Sequence, residues 1–170
     1  FNQAELETRG VASALEVTQF VPNLVGLNNT GLGTANSYYL RGVGNTESIA
    51  TFDPPIGTYI DDIYISRQNA NNLSFFDVER VEVLRGPQGT LFGRNATGGA
   101  INVLPKKPIL GKFGGEALFE YGNYDSKKGF LALNVPIGDK VALRVAGQIV
   151  DRDGYISDGY DDDKGEAVRA

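Results

Sequence analysis

Residues 77–104 read DVERVEVLRGPQGTLFGRNATGGAINVL, and the rest of the chain is organised around them. Asp77 to Arg85 alternates apolar and charged side chains and carries β-branched Val78, Val81 and Val83, which predicts a strand. Gly86-Pro87 stops it, because proline lacks a ladder N–H and glycine accepts unusual φ. Gly89, Gly93, Gly98 and Gly99 then punctuate a tight connection. Ala100-Ile101-Asn102-Val103-Leu104 makes a second short strand, ended by Pro105-Lys106-Lys107-Pro108. The unit is strand, compact glycine-rich connection, strand.

Working outward, Glu5 to Phe20 reads as one helix, with Leu6, Val11 and Leu15 on one side and Pro22 ending it. Residues 27–37, LNNTGLGTANS, are small, polar and glycine-rich and read as an exposed loop. Tyr38 to Gly42 is a short strand, and Gly44 to Pro55 a polar connection. Gly57 to Ile65 alternates again, interrupted at Asp61-Asp62 and continued by Ile63-Tyr64-Ile65. Adjacent strand residues point to opposite faces, so Asp61 and Asp62 make a poor catalytic pair. Ser66 to Asn72 is a second polar loop, and Leu73 to Phe76 reads as one apolar helical turn. The first part is thus α+β: a small mixed β-sheet with short helices and long loops.

This stretch resembles the plug domain of TonB-dependent receptors of the Gram-negative outer membrane. The resemblance is carried by "VERVEVLRGP", by "LFGRNATGGAINV" and by the upstream "YLRGVG" at Tyr39 to Gly44. It covers about the first two-thirds of the chain. It implies a plug over residues 1–108, and a linker with the first strands of a transmembrane β-barrel over residues 109–170.

The second part fits that expectation. Strands are predicted at Glu116 to Tyr124, Gly129 to Val135 and Lys140 to Val150, with a tight turn at Pro136 to Asp139. Val141, Leu143, Val145 and Ile149 share one face, Arg144 and Gln148 the other. That is the apolar-out, polar-in pattern of an outer-membrane strand; a soluble meander with one wet face is the alternative. Membrane strands take about 9–11 residues each, so residues 112–170 hold three strands and the start of a fourth. A plugged transporter barrel needs about 22 strands, and three cannot close without edges unsatisfied in lipid. The barrel in this chain is therefore expected to be incomplete.

Composition narrows the chemistry. Glycine is 22 of 170 residues, which suits a tightly turned β-rich protein. The net charge of −5 argues against a nucleic-acid partner. The chain has no cysteine and no histidine, which removes disulfides, thiol catalysis, thiolate zinc sites and the commonest general base. No apolar run reaches 18 residues, so no transmembrane helix is expected. Phe1-Asn2-Gln3 has neither a basic nor an apolar leader segment, so the chain reads as beginning inside a mature or truncated protein. The glycine-rich stretch has no phosphate-loop spacing, and no cofactor, metal or enzymatic activity is expected. The aspartates at 151, 153, 158, 161, 162 and 163 lack the spacing of a calcium loop and read as a solvated loop.

Two groups of candidate site residues follow. The polar loops carry Asn28, Asn29, Asn36, Arg67, Gln68, Asn69, Asn71 and Asn72. The resemblance places these loops at the outer end of the plug, where amides present donors and acceptors to a small polar ligand. Arg41, Arg85 and Arg94 suit a plug–barrel interface, because a guanidinium grips carboxylates in bidentate fashion. Glu116 and Glu120, on one face of the first barrel strand, are the candidate carboxylates. The resemblance further implies active uptake of a scarce nutrient, most often a ferric siderophore. The outer membrane has no ion gradient, so TonB with ExbB and ExbD supplies energy through an N-terminal segment, the TonB box, not evident in Phe1 to Arg9. Oligosaccharide or other organic ligands, or a structural or adhesive plugged barrel, are the alternatives.

Overall fold

The computed structural model describes residues 1–28, 35–46, 52–154 and 163–170. Asn29 and the aspartates at 158, 161 and 162 lie outside the described residues. The chain divides into two compact units, Phe1–Lys106 and Lys107–Ala170.

The first unit runs α1 (Gln3–Arg9), α2 (Ala14–Val17), β1 (Leu24–Asn28), β2 (Asn36–Leu40), β3 (Val43–Gly44), β4 (Ile56–Ile60), β5 (Ile63–Tyr64), β6 (Val78–Arg85), α3 (Gly89–Phe92) and β7 (Gly99–Pro105). Its described residues form two sheets. β1, β2 and β3 form an antiparallel one, and the other has the order β5-β4-β7-β6, with only β4 and β7 parallel. β7 lies between β4 and β6 and is buried from Gly99 to Leu104, hence its near-continuous apolar run. A side chain at Gly99 would meet the Leu84 carbonyl oxygen at 2.5 Å and Leu40 Cδ2 at 2.7 Å, so the strand entry requires glycine. Leu6, Val17, Leu40, Ile56, Val81 and Ile101 belong to one core cluster, each worth about 1.5–3 kcal/mol when fully buried.

The expected single helix over 5–20 is two short helices and a 3-10 turn at Thr18–Phe20. Asn2 and Glu5 form a capping box at the start of α1, and Gly10 ends it with a left-handed φ of 65°. The backbone beyond is committed elsewhere: Ala14 N–H donates to Leu73 O at 2.9 Å and Phe75 N–H to Ala12 O at 2.7 Å. That bridge, at Ser13 and Ser74, replaces the helical turn expected over Leu73 to Phe76. Asp61 and Asp62 do not interrupt one strand. Both have positive φ, 49° and 65°, and form the two-residue turn of the β4–β5 hairpin. Buried Asn102 steadies that turn, its Nδ2 donating to Asp62 Oδ1 at 2.6 Å.

Phe1 extends the sheet at its other edge. Its ammonium donates to Val81 O at 2.8 Å, and Val81 N–H donates to Phe1 O at 2.8 Å. The Arg9 guanidinium lies 5.7 Å from the centre of the Phe1 ring and 4.9 Å from that of Phe20.

The second unit is a four-stranded antiparallel meander: β8 (Gly114–Gly122), β9 (Ser126–Ile137), β10 (Val141–Arg152) and β11 (Asp163–Arg169), in the order β11-β10-β9-β8. The expected turn at 136–139 starts later, because Pro136 and Ile137 remain in β9 and Gly138 takes the positive φ of 71°. Proline is tolerated there since only one ladder donor is lost near a strand end. On β10, Val141, Leu143, Val145 and Ile149 are exposed, and Leu131, Leu133, Val135 and Ile137 are exposed on β9. Arg144 and Gln148 are each only 9% exposed. This is the reverse of a water-soluble sheet, and it is what a lipid-facing wall requires.

The linker expected to open residues 109–170 is anchored to the second unit at Ile109 and Lys112. The Asn134 side chain accepts from Ile109 N–H at 2.8 Å and donates to Ile109 O at 2.9 Å and to Lys112 O.

Candidate functional site

The polar loops are not the uniformly exposed ligand surface that their composition predicts. Asn36 is fully buried, Asn71 is 3% exposed and Gln68 6%. Their amides stand in for missing backbone partners. Asn36 N–H donates to Asn71 Oδ1 at 2.7 Å, and Asn71 Nδ2 returns a bond to Asn36 O at 2.8 Å. Gln68 Nε2 donates to Asn45 O at 3.4 Å, while Gln68 Oε1 is buried without a partner among the described residues. These three residues are therefore buried, with the amides of Asn71 and Gln68 bonded to neighbouring backbone. An amide-rich stretch reads as solvated because sequence cannot distinguish an amide facing water from one facing a strand edge.

The remaining members keep a surface position. Asn28 at the end of β1, Arg67, Asn69 and Asn72 are exposed. Two of them are joined through the buried hub, since Asn28 Nδ2 donates to Asn36 Oδ1 at 3.2 Å and Asn36 Nδ2 donates to Asn72 Oδ1 at 3.0 Å. The segments thus leave different elements, a hairpin of the small sheet and the connection after β5, and meet through side chains.

Two tyrosines belong to this description and were not singled out from sequence. Tyr38 is buried beside the hub and receives a hydrogen bond from Asn36 Nδ2 at 3.2 Å. Burial pushes its phenol up to about 12, against a smaller opposite pull from Asn36. Tyr64 receives a bond from Asn95 Nδ2 at 3.1 Å. Burial raises its pKa, the Asn95 bond lowers it, Asp53 raises it, and Arg94 and Arg67 lower it. Tyr59 meets Phe92 with the rings tilted and centroids 4.7 Å apart, and donates to Phe92 O at 3.1 Å, which ties the end of α3 to the sheet; Arg94, two residues on, is exposed. The available signal was the spacing of tyrosines along β4 and β5, too common to single them out.

The charged candidates are dispersed. Arg41 is exposed in the β2–β3 turn at φ 53°, with its N–H on Asn23 O at 2.9 Å. Arg85 is the exposed last residue of β6, paired in register with Gly99. In the second unit Glu116 lies 3.9 Å from Arg144 and Glu120 lies 3.4 Å from Lys128, each on a neighbouring or next strand of its own sheet. Among the described residues, no group of acidic side chains could hold a metal ion.

The family model of the TonB-dependent receptor plug domain matches residues 1–100. The chain belongs to the TonB-dependent receptors. It is 34% identical over 105 residues to the pesticin receptor of Yersinia pestis, covering 61% of this chain and 15% of that protein. It is 32% identical over 142 residues to the catecholate siderophore receptor Fiu of Escherichia coli K12, covering 78% of this chain and 17% of that protein. The crystal structure of the ferric yersiniabactin uptake receptor FyuA from Yersinia pestis superposes with a TM-score of 0.76 at 28% identity. That similarity covers 99% of this chain and 27% of FyuA. The chain therefore spans less than a fifth of the length of these two curated relatives. The fold of this TonB-dependent receptor is a plug domain followed by antiparallel strands of an outer-membrane barrel, incomplete in this chain. The family is one of transport receptors, and its place is the Gram-negative outer membrane.

Proposed function

We propose that this chain is the plug and the opening strands of a receptor that takes up a ferric siderophore across the outer membrane. The observation that carries this reading is the 32% identity to a receptor named for catecholate siderophores, extending over 142 residues and so beyond the plug model's residues 1–100. The outward apolar stripe of β9 and β10 supports a barrel in lipid, and the exposed amides of the plug support a polar small-molecule ligand. Asn28, Arg67, Asn69 and Asn72 are the ligand contacts in this reading. Arg41, Arg85 and Arg94 meet carboxylates of the barrel wall, with Glu116 and Glu120 among the candidates, and the plug ends near Pro108. TonB, energised with ExbB and ExbD, acts by strand addition through an N-terminal segment. The receptor performs no catalysis and needs no resident cofactor.

Uptake of radiolabelled iron by cells carrying the full-length receptor tests this. A ferric tris-catecholate complex is expected to deliver iron only when both receptor and TonB are present. Equal uptake without TonB, or uptake of cobalamin in place of iron, would overturn the assignment.

A further inference from the structure

The bonds around Asn36 divide cleanly into two sets. Its backbone is held by Asn71, which accepts from its N–H at 2.7 Å and donates to its carbonyl at 2.8 Å. Asn71 thereby acts on β2 as a neighbouring strand would, and this pairing is indifferent to the side chain at position 36. The Asn36 side chain does something else. It accepts from Asn28 at 3.2 Å and donates to Asn72 at 3.0 Å and to the Tyr38 hydroxyl at 3.2 Å. Asn28 and Asn72 are both exposed. One buried carboxamide therefore holds two surface amides, from segments 36 and 8 residues away, against its opposite ends.

From this geometry we propose that Asn36 and Asn71 are positioning residues. They make Asn28 and Asn72 a single polar subsite that grips one ligand from both segments. This rests on the uptake reading above, which supplies the exposed amides with a ligand. Asn71 anchors the loop and Asn36 sets the orientation of the two surface side chains. Orientation matters because an amide offers a donor on one side and an acceptor on the other.

The test uses the full-length receptor, hydrogen exchange and a synthetic ferric tris-catecholate as probe. Asn36→Leu keeps both backbone bonds to Asn71 and removes only the side-chain links. Without ligand it is expected to speed exchange by about tenfold at residues 24–28 and 69–72, leaving β6 and β7 unchanged. Asn72→Ala alters only a surface residue, yet is expected to speed exchange at 24–28, in the other segment. Kd for the probe is expected to weaken about tenfold in either variant, and no further when they are combined. Unchanged exchange at 24–28 in Asn72→Ala would overturn the proposal even if Asn36→Leu failed to fold. Additive effects on Kd would do the same. A wild-type receptor that ignores the probe would instead sink the siderophore assignment, with the exchange results still deciding the positioning role.

Discussion

Replacing Val145 by arginine puts a charge at the centre of the outward stripe of β10. The stripe runs from Val141 to Ile149, with Asp151 beyond it and the Gly138–Lys140 turn before it. At about 3.4 Å per residue and a tilt of about 40°, it rises about 21 Å, which places Val145 about 10 Å from either border. An arginine at mid-depth of a barrel wall costs about 2–4 kcal/mol, falling to about 0–1 near the interfaces. Val145→Arg is therefore expected to cost about 2–4 kcal/mol, Leu143→Arg somewhat less, and Ile149→Arg about 1 or less. Gln148→Asn, on the opposite face, keeps the amide and adds no charge, and should cost about 1 kcal/mol or less. Full-length receptor folded into lipid vesicles and titrated with urea, with the folded fraction read from its gel mobility without heating, gives the comparison. Equal losses for Val145→Arg and Gln148→Asn, or a larger loss for Ile149→Arg than for Val145→Arg, would refute the lipid-facing assignment.

Three further outcomes are expected. Folded Tyr38 ionises at about 12 and an unfolded tyrosine near 10, so the unfolded chain loses its proton first as pH rises. The stability present below about pH 10 is then lost by about pH 12, a fall of about 2–3 kcal/mol that Tyr38→Phe should abolish in urea titrations across that window. Gly99→Ala would press a methyl against the Leu84 carbonyl, and a loss of about 1–3 kcal/mol is expected; denaturation unchanged from wild type would show that β6 and β7 have slack there. Arg67→Ala with Asn69→Ala should leave stability within about 0.5 kcal/mol, whereas Gln68→Ala should cost about 1 kcal/mol or more because a buried partner of Asn45 O is removed.

The hairpin of β6 and β7 was legible because its signals are local: alternation, β-branching and glycine stops within one short stretch. The outward stripe of β10 was legible for the same reason, since a period of two needs no partner to be recognised. Glu5 to Phe20 misled because its apolar spacing is compatible with a helix, while the bridge from Ala12 and Ala14 to Leu73 and Phe75 depends on residues some sixty positions away. Asp61-Asp62 misled because two aspartates rarely announce a reversal, although both tolerate positive φ. The amide hub was the least legible feature. Nothing in NSYYL or RQNANN separates Asn36 and Asn71, which face each other in the interior, from Asn72 and Asn69, which face outward.

The attachment of Phe1 has a mechanical corollary. Tension applied through the Phe1 nitrogen is carried first by two hydrogen bonds to Val81 and by the Arg9 stack, and only afterwards by α1. Because β6 is antiparallel to this first residue, such a pull acts on the edge of the sheet directly. The load then spreads through β7, which pairs with both β6 and β4. The pair of bonds to Val81 is thus the point at which the first unit meets such a load.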